Sequence, residues 1–299
     1  MSAEGVPYAG LGRPIRGPRA LTDDWSRFWH LTYNIARNEF KLRFFGSVLG
    51  YLWQLVRPLL LFGVLYVFFT KVAHVNNAHT PGAKHYGAQL LGSIVLFTFF
   101  AEATTGAVRS VVDRENLVRK IQFPRMVIPL SVVLLALFNL ALNLVVVLGF
   151  ALAEGVEPML SWLELPLIVA TLAIFATGIA MLLSALFVTL RDIQPIWDVI
   201  SQILFYASPV IISVETVKEK GASFLHLSKA TTLHLYMLNP LASVFQQFRY
   251  AMITHGTLSV GDAFGSWTGV IWPLAIVAAV FVLGFWVFNR SAPLVAENL

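Results

Sequence analysis

The residues able to do chemistry in this chain fall in four groups. The first is a basic stretch from Arg109 to Pro129, where Arg109, Arg114, Arg119, Lys120 and Arg125 separate two long apolar runs. Its middle, Asp113 to Ile121, can form a short helix with Asp113 at the N-cap, and Phe123 followed by Pro124 stops it. Such a helix, carrying Asp113, Arg114, Glu115, Leu117, Val118, Arg119 and Ile121, is placed to receive a push from a soluble partner. An ordinary basic loop is the competing reading. The second group is Arg57 and Glu102, ionisable residues inside apolar runs, where charge is costly. Counted along their helices they lie roughly 13 Å and 10 Å from the same membrane face. An intramembrane ion pair is therefore expected, with snorkelling to the interface as the alternative. Third, Asn139 and Asn143 share a helix face and suit an interhelical hydrogen bond or a polar channel wall. Fourth, Tyr51, Phe62, Tyr66 and Phe69, with Leu55 and Pro58 among them, form one narrow helical stripe. Aromatic faces stack on the apolar faces of sugar rings, so this stripe could line a saccharide path; lipid contact and helix packing use the same pattern.

Other chemistries lack their residues. No GxxxxGK[ST] phosphate loop occurs, so no nucleotide site is expected in this chain. The histidines (His30, His74, His79, His85, His226, His234, His255) show no metal-binding spacing, and no metal is expected. Cysteine is absent, which excludes disulfides and thiolate metal sites. Carboxylates are not grouped as a membrane phosphotransferase would need them, and the chain reads as a non-enzyme.

The elements that position these groups are membrane helices. The chain of 299 residues is 57% hydrophobic and 12% charged, whereas a soluble domain carries about a quarter charged residues. Runs long enough to cross a bilayer, about 20 residues each, lie near 48–70, 88–108, 127–153, 163–189, 196–213 and 268–289. The expectation is an all-α integral membrane protein with six spans. Lys and Arg concentrate on the side that holds both termini, which places the termini in the cytoplasm. The division expected is a flexible tail over 1–24, an amphipathic interfacial helix over 25–46, a transmembrane domain over 47–290 and a cytoplasmic tail over 291–299. In the interfacial helix Trp25, Phe28, Trp29, Thr32, Ile35, Ala36 and Phe40 take one side, and Arg27, His30, Arg37 and Lys41 the other. After Ser208-Pro209 more than 50 residues stay outside, with a new helix starting at Asn239-Pro240. Leu241, Val244, Phe245, Phe248 and Met252 share a face of that helix, too short to span, so a re-entrant or interfacial element is expected.

Several pieces in order carry a resemblance: Leu49-Gly-Tyr-Leu-Trp53 through Arg57-Pro58, Asn116 to Pro124 leading to Ile128-Pro129-Leu130, Arg191-Asp192 with Ser208-Pro209-Val210, and Asn239-Pro240-Leu241 with Phe248-Arg249. The chain resembles the membrane subunits of ABC exporters for cell-envelope polysaccharides, the type-2 permeases of O-antigen, teichoic-acid and mycobacterial galactan export. The resemblance implies a homodimer in the bacterial cytoplasmic membrane, bound to two copies of a separate ATPase that holds ATP and magnesium. It implies that Trp25 to Arg43 and the coupling helix over Asp113 to Ile121 contact that ATPase. It also implies a channel between protomers lined by aromatics, here Tyr51, Phe62, Tyr66 and Phe69, and an outer gate of short helices carrying Asn239, Pro240, Phe245 and Phe248. The substrate it implies is a glycan on a polyprenyl diphosphate, whose lipid diphosphate would meet Arg37, Lys41, Arg43 and Arg57. The excess of Arg over Lys and the Ala, Gly, Pro and Arg-rich tail suggest a GC-rich genome, which favours a cell-wall galactan precursor. A permease of the same plan for a drug or lipid is the alternative.

Overall fold

The computed structural model describes residues 25–43, 50, 52–72, 85–115 and 124–291. Its described residues are helical with no strand: α1 (Trp25–Arg43), α2 (Leu52–Val67), α3 (Tyr86–Val108), α4 (Val127–Ala153), α5 (Leu165–Thr189), α6 (Ile193–Ala207), α7 (Lys229–Met237), α8 (Pro240–Met252), α9 (Val260–Phe264) and α10 (Ile271–Ser291), joined by shorter turns. Five helical stretches among these residues are long and apolar enough to cross a membrane: Leu52–Val72, Tyr86–Val108, Val127–Ala153, Leu160–Thr189 and Trp267–Ser291.

The sixth expected span, 196–213, is shorter than its hydropathy suggests. Its helix α6 has 15 residues, about 22 Å of rise against a hydrocarbon core of about 30 Å. It ends at Ala207 because Ser208, preceding Pro209, is held in an extended conformation.

The bundle is built around α3, which is buried on nearly every side. Small residues make this possible. A Cβ on Gly92 would lie 2.2 Å from the Phe248 ring of α8, so the notch at Gly92 admits that ring. The start of α3 has no side-chain cap of its own, since His85 sits there at φ 57°. Glu154, at the end of α4, supplies one: its Oε2 accepts from Ala88 N at 2.9 Å, placing a carboxylate at the positive end of the helix. Phe100 of α3 stacks on Phe175 of α5 with centroids 5.7 Å apart, and both belong to the main core.

Helix α1 lies along α4. Phe28, Thr32 and Ala36, four apart, are buried there, and Tyr33 and Phe40 meet Phe138 edge-on at 6.1 and 5.9 Å. The side expected to face lipid is therefore divided, its Phe28 stripe packed on the bundle and Trp25 and Trp29 left exposed. Helix α8, expected to be amphipathic, is buried all round, with Gln246 and Arg249 as inaccessible as Phe245 and Phe248. Outside it, α9 opens with a capping box between Ser259 and Asp262, and hydrogen bonds from the Ser259 hydroxyl and N–H hold the Asp262 carboxyl below its ordinary range.

Helices α5 and α10 pack at backbone distance. A Cβ on Gly284 would lie 2.0 Å from the Gly178 carbonyl oxygen, and one on Gly178 would lie 2.7 Å from Phe281 Cα. Gly284→Ala should therefore destabilise the bundle by about 1–3 kcal/mol through overpacking. Gly149→Ala, where a Cβ meets nothing within 4 Å, should cost nothing; thermal unfolding of the two detergent-solubilised variants compares them. The α9 cap should respond to acid in one direction. Its contribution is present above the ordinary Asp pKa and is lost as pH falls through the lowered folded value. The protection of the amides around Val260 to Phe264, taken relative to their intrinsic exchange rate at each pH, should thus fall only below about pH 4, and Asp262→Asn should remove that dependence.

Candidate functional site

Two cavities meet at one carboxylate. The larger, about 850 Å³, lies near the Asp113 end of the bundle and is lined by Glu39 and Arg43 of α1, Ala101, Glu102, Thr105 and Gly106 of α3, Ser110, Asp113, Arg114, and Val132, Leu135 and Ala136 of α4. The second, about 550 Å³, is a groove on the other side of Glu102, between α2 and α6 over α3. Leu61, Phe97, Thr98, Ala101, Glu102, Ser201, Gln202, Phe205 and Tyr206 line it. Ala101 and Glu102 line both, so a polar chamber and an aromatic groove adjoin at Glu102.

Glu102 is held by two amides. Gln54 Nε2 donates to its Oε1 at 2.8 Å and Asn139 Nδ2 donates to its Oε2 at 2.9 Å. Asn143, on the same face, donates its Nδ2 to the backbone carbonyl of Asn139 at 2.9 Å, one turn along α4, and does not extend the bonds to Glu102. Two N–H donors facing two oxygens match a carboxylate, which only accepts. The expected Arg57 to Glu102 ion pair is not formed. Gln54, Pro58 and Phe62, four apart, make the buried stripe of α2 that faces the bundle. Arg57 lies about 100° from Pro58 around the helix and its side chain is exposed.

The aromatic wall also differs from expectation. Tyr51 lies outside the described residues. Phe62 is buried, its ring 5.3 Å from those of Tyr66 and Phe150, and Tyr66 and Phe69 pack against the main core. The rings in the groove are instead Phe97, Phe205 and Tyr206, with Phe97 to Phe205 at 4.9 Å and Phe205 to Tyr206 at 5.3 Å. Their signal in the sequence was the pairing of Ser201 with Phe205 and Gln202 with Tyr206 at four-residue spacing, which gives α6 a mixed polar and aromatic side. The indole of Trp197 fixes α6 to α3 by donating to Thr104 Oγ1 at 3.2 Å.

Of the basic stretch, Asp113, Arg114 and Glu115 are described, while Leu117, Val118, Arg119 and Ile121 lie outside the described residues. Asp113 is the last residue of the helical turn Ser110–Asp113, and most of the helix expected after it lies outside the described residues. Arg114 turns inward. It pairs with Glu39 of α1 and donates to Ser131 Oγ at 3.3 Å and to the Ile128 carbonyl at 3.5 Å, clasping α1 to the start of α4. Burial pulls its guanidinium below the ordinary range, yet an arginine stays protonated. Arg37 and Lys41 are exposed on α1, Arg43 alone of the proposed diphosphate contacts lines the chamber, and Glu39, Glu102 and Asp113 outnumber the two arginines there.

At the far end, the expected gate residues serve as anchors. Asn239 Oδ1 accepts from Leu241 N at 3.1 Å as the α8 cap, and its Nδ2 donates to Ser208 Oγ at 3.3 Å. Pro240 takes the first helical turn, and Phe245 and Phe248 have no exposed surface. Arg249, unplaced from sequence, donates to Ser93 Oγ at 3.3 Å, to the Val210 carbonyl at 3.0 Å and to the Pro209 carbonyl, tying α8 to α3 and to the chain leaving α6.

Residues 30–253 match the profile of a family described as ABC-2 type transporter. The chain is 28% identical to the O-antigen export system permease protein RfbA of Myxococcus xanthus over 256 residues, covering 86% of this chain and 88% of the relative. It is 27% identical over 266 residues to a protein of the same name from Klebsiella pneumoniae, covering 89% and 93%.

The hydrogen bonds at Glu102 make Asn139 and Arg57 unequal. Asn139→Leu leaves a carboxylate oxygen without its donor and should cost about 1–3 kcal/mol. Arg57→Ala should stay within about 0.5 kcal/mol. Denaturation of the purified variants tests this, and equal losses would restore the ion pair.

Proposed function

Because the chain belongs to the ABC-2 type transporter family, we propose that it is the membrane subunit of an ATP-driven exporter of polyprenyl-diphosphate-linked polysaccharide. The observation that carries this reading is the meeting of chamber and aromatic groove at Glu102. Both named relatives are O-antigen export permeases, which supports a glycan as cargo. Within that class the substrate proposed is a cell-wall galactan precursor, supported by the excess of Arg over Lys and the composition of the tail. The groove suits a glycan physically. Phe97, Phe205 and Tyr206 offer stacking faces, while Glu102, Ser201 and Gln202 offer partners for hydroxyls. Many weak contacts let a long chain slide, where one deep pocket would hold it.

A second copy of this chain completes the path. Leu60, Leu61 and Val64 of α2 and Ile196, Val199, Ile203 and Tyr206 of α6 are exposed beside the groove, and a homodimer would cover them and close the channel. In this arrangement α6 and the residues after it make the sixth crossing, both termini lie in the cytoplasm and the chamber opens inward. Energy comes from a separate ATPase that carries ATP and magnesium. It contacts α1 and the segment from Asp113 to Ile121, and the Arg114 to Glu39 clasp passes its movement to both α1 and α4 as a rigid body. The lipid diphosphate enters past Arg43, with Arg37, Lys41 and Arg57 toward the headgroups. On the far side, the turns and short helices between α6 and α8 form the exit gate, hinged on the fixed α8.

Co-expression with the ATPase encoded beside it should yield a complex with equal subunit counts. Leu117→Ala with Arg119→Ala should abolish association or coupled ATP hydrolysis. Phe205→Ala and Tyr206→Ala should each leave hydrolysis intact and lower surface glycan about three- to tenfold, from the loss of one stacking contact. Failure of any ATPase to associate, with glycan export unaffected by deleting this chain, would overturn the reading.

A further inference from the structure

We propose that the cavity enclosed by α5, α8 and α10 binds one acyl chain of an ethanolamine phospholipid. The cavity measures about 310 Å³, and its walls are Leu167, Ile168 and Thr171 of α5, Val244 of α8, and Leu274 and Val277 of α10. It is a different space from the groove at Glu102, which is lined by α2, α3 and α6 and stands apart from this one. The inference does not rest on the exporter reading.

Three observations identify the occupant. The lining away from Glu164 and Gln247 is mostly apolar, and the hydroxyls of Thr171 and Ser243 already donate to the Leu167 and Met237 carbonyls, so water there would find few of the polar partners that hold a buried water in place. The mouth opens to lipid: Leu167 and Leu274 at the rim are exposed, and α10 continues outward with exposed Ile271, Trp272 and Val282. From Glu164 to Thr171 the cavity runs about 10 Å along the helix axis, the direction in which an acyl chain lies in a bilayer. The headgroup follows from the polar end. Glu164, where α5 begins, is the one charged residue lining the cavity, and it is partly exposed. Gln247 bridges it to α9: Nε2 donates to Glu164 Oε2 at 2.7 Å, and Oε1 accepts from Val260 N at 3.3 Å. A fixed carboxylate at headgroup level attracts an ammonium and repels a headgroup that is only anionic. At roughly 1 kcal/mol per charge near the surface, the preference is about fivefold. Seated there, the chain presses on Val244 and holds α8 against α3, where Phe248 and Arg249 are docked.

The test uses the purified protein in nanodiscs made of phosphatidylethanolamine and phosphatidylglycerol with identical chains, each in turn carrying a diazirine near the chain end. Photolabelling is mapped by mass spectrometry. The expected result is labelling at Ile168, Val244 and Val277, about fivefold stronger from the ethanolamine lipid. Val277→Phe should remove it while leaving labels on outward-facing Val282. Glu164→Gln, which does not fill the cavity, should keep the internal labels and equalise the two lipids. Labels confined to outward-facing positions would overturn the proposal, as would equal internal labelling of the native chain by both lipids. Displacement of both lipids by a polyprenyl phosphate would overturn it too, in favour of a carrier-lipid site.

Discussion

Polar groups within a bilayer must find their partners inside the protein, and α3 is where this chain meets that constraint. Four of its neighbours supply the answers. Gln54 of α2 and Asn139 of α4 hold Glu102, Trp197 of α6 donates to Thr104, Arg249 of α8 reaches Ser93, and Glu154 at the end of α4 covers the N-terminus. The hydrophobic effect does not drive helices together in lipid, so these directional contacts and close packing at small residues decide which helix stands beside which. The order of polar side chains down α3, from Ser93 through Glu102 to Thr104, acts as the template for the bundle.

The same arrangement separates fixed from adjustable parts. Phe245, Phe248 and Arg249 lock α8 into the notch beside Gly92, making it a wall and not a flap. By contrast α6 is held along its length mainly by Trp197 and Ser201, and most of its surface is open. The groove lies over the firmly packed α3, between two lightly attached helices, α2 and α6, so its width is set by the less constrained elements.

Five of the six expected spans were legible in the hydropathy, since the helices long and apolar enough to cross a membrane fall where the apolar runs predict them, while the sixth run holds only the 15-residue α6. The helix after Asn239-Pro240 could also be read, from an apolar run too short to span, but as an interfacial or re-entrant element and not as one buried on nearly every side. Direction around the helix was less accessible. Arg57 and Glu102 agree in depth, yet depth comes from rise alone, and the facing stripe of α2 passes through Gln54 and Pro58. The stripe from Tyr51 to Phe69 was correctly seen as one side of a helix, but a stripe does not say whether it meets protein or cargo; Phe62 meets Phe150. Asn139 was flagged as a hydrogen-bonding residue without its partner, which is 37 positions earlier in the chain. Arg249 was invisible for a similar reason, since its acceptors are carbonyls exposed only by the break at Ser208-Pro209.

The glycine contact between α5 and α10 has a mechanical meaning. With the Gly178 carbonyl resting in the space left by Gly284, the two helices touch backbone to backbone, and Phe281 and Phe288 stand about one turn away on either side along α10. A slip of one turn would bring a bulky ring against that carbonyl. Axial travel is blocked, while a small pivot about the point of contact is not. The last helix thus works as a keyed bearing: it can tilt with α5 but cannot run along it, and any stroke delivered to one is delivered to both.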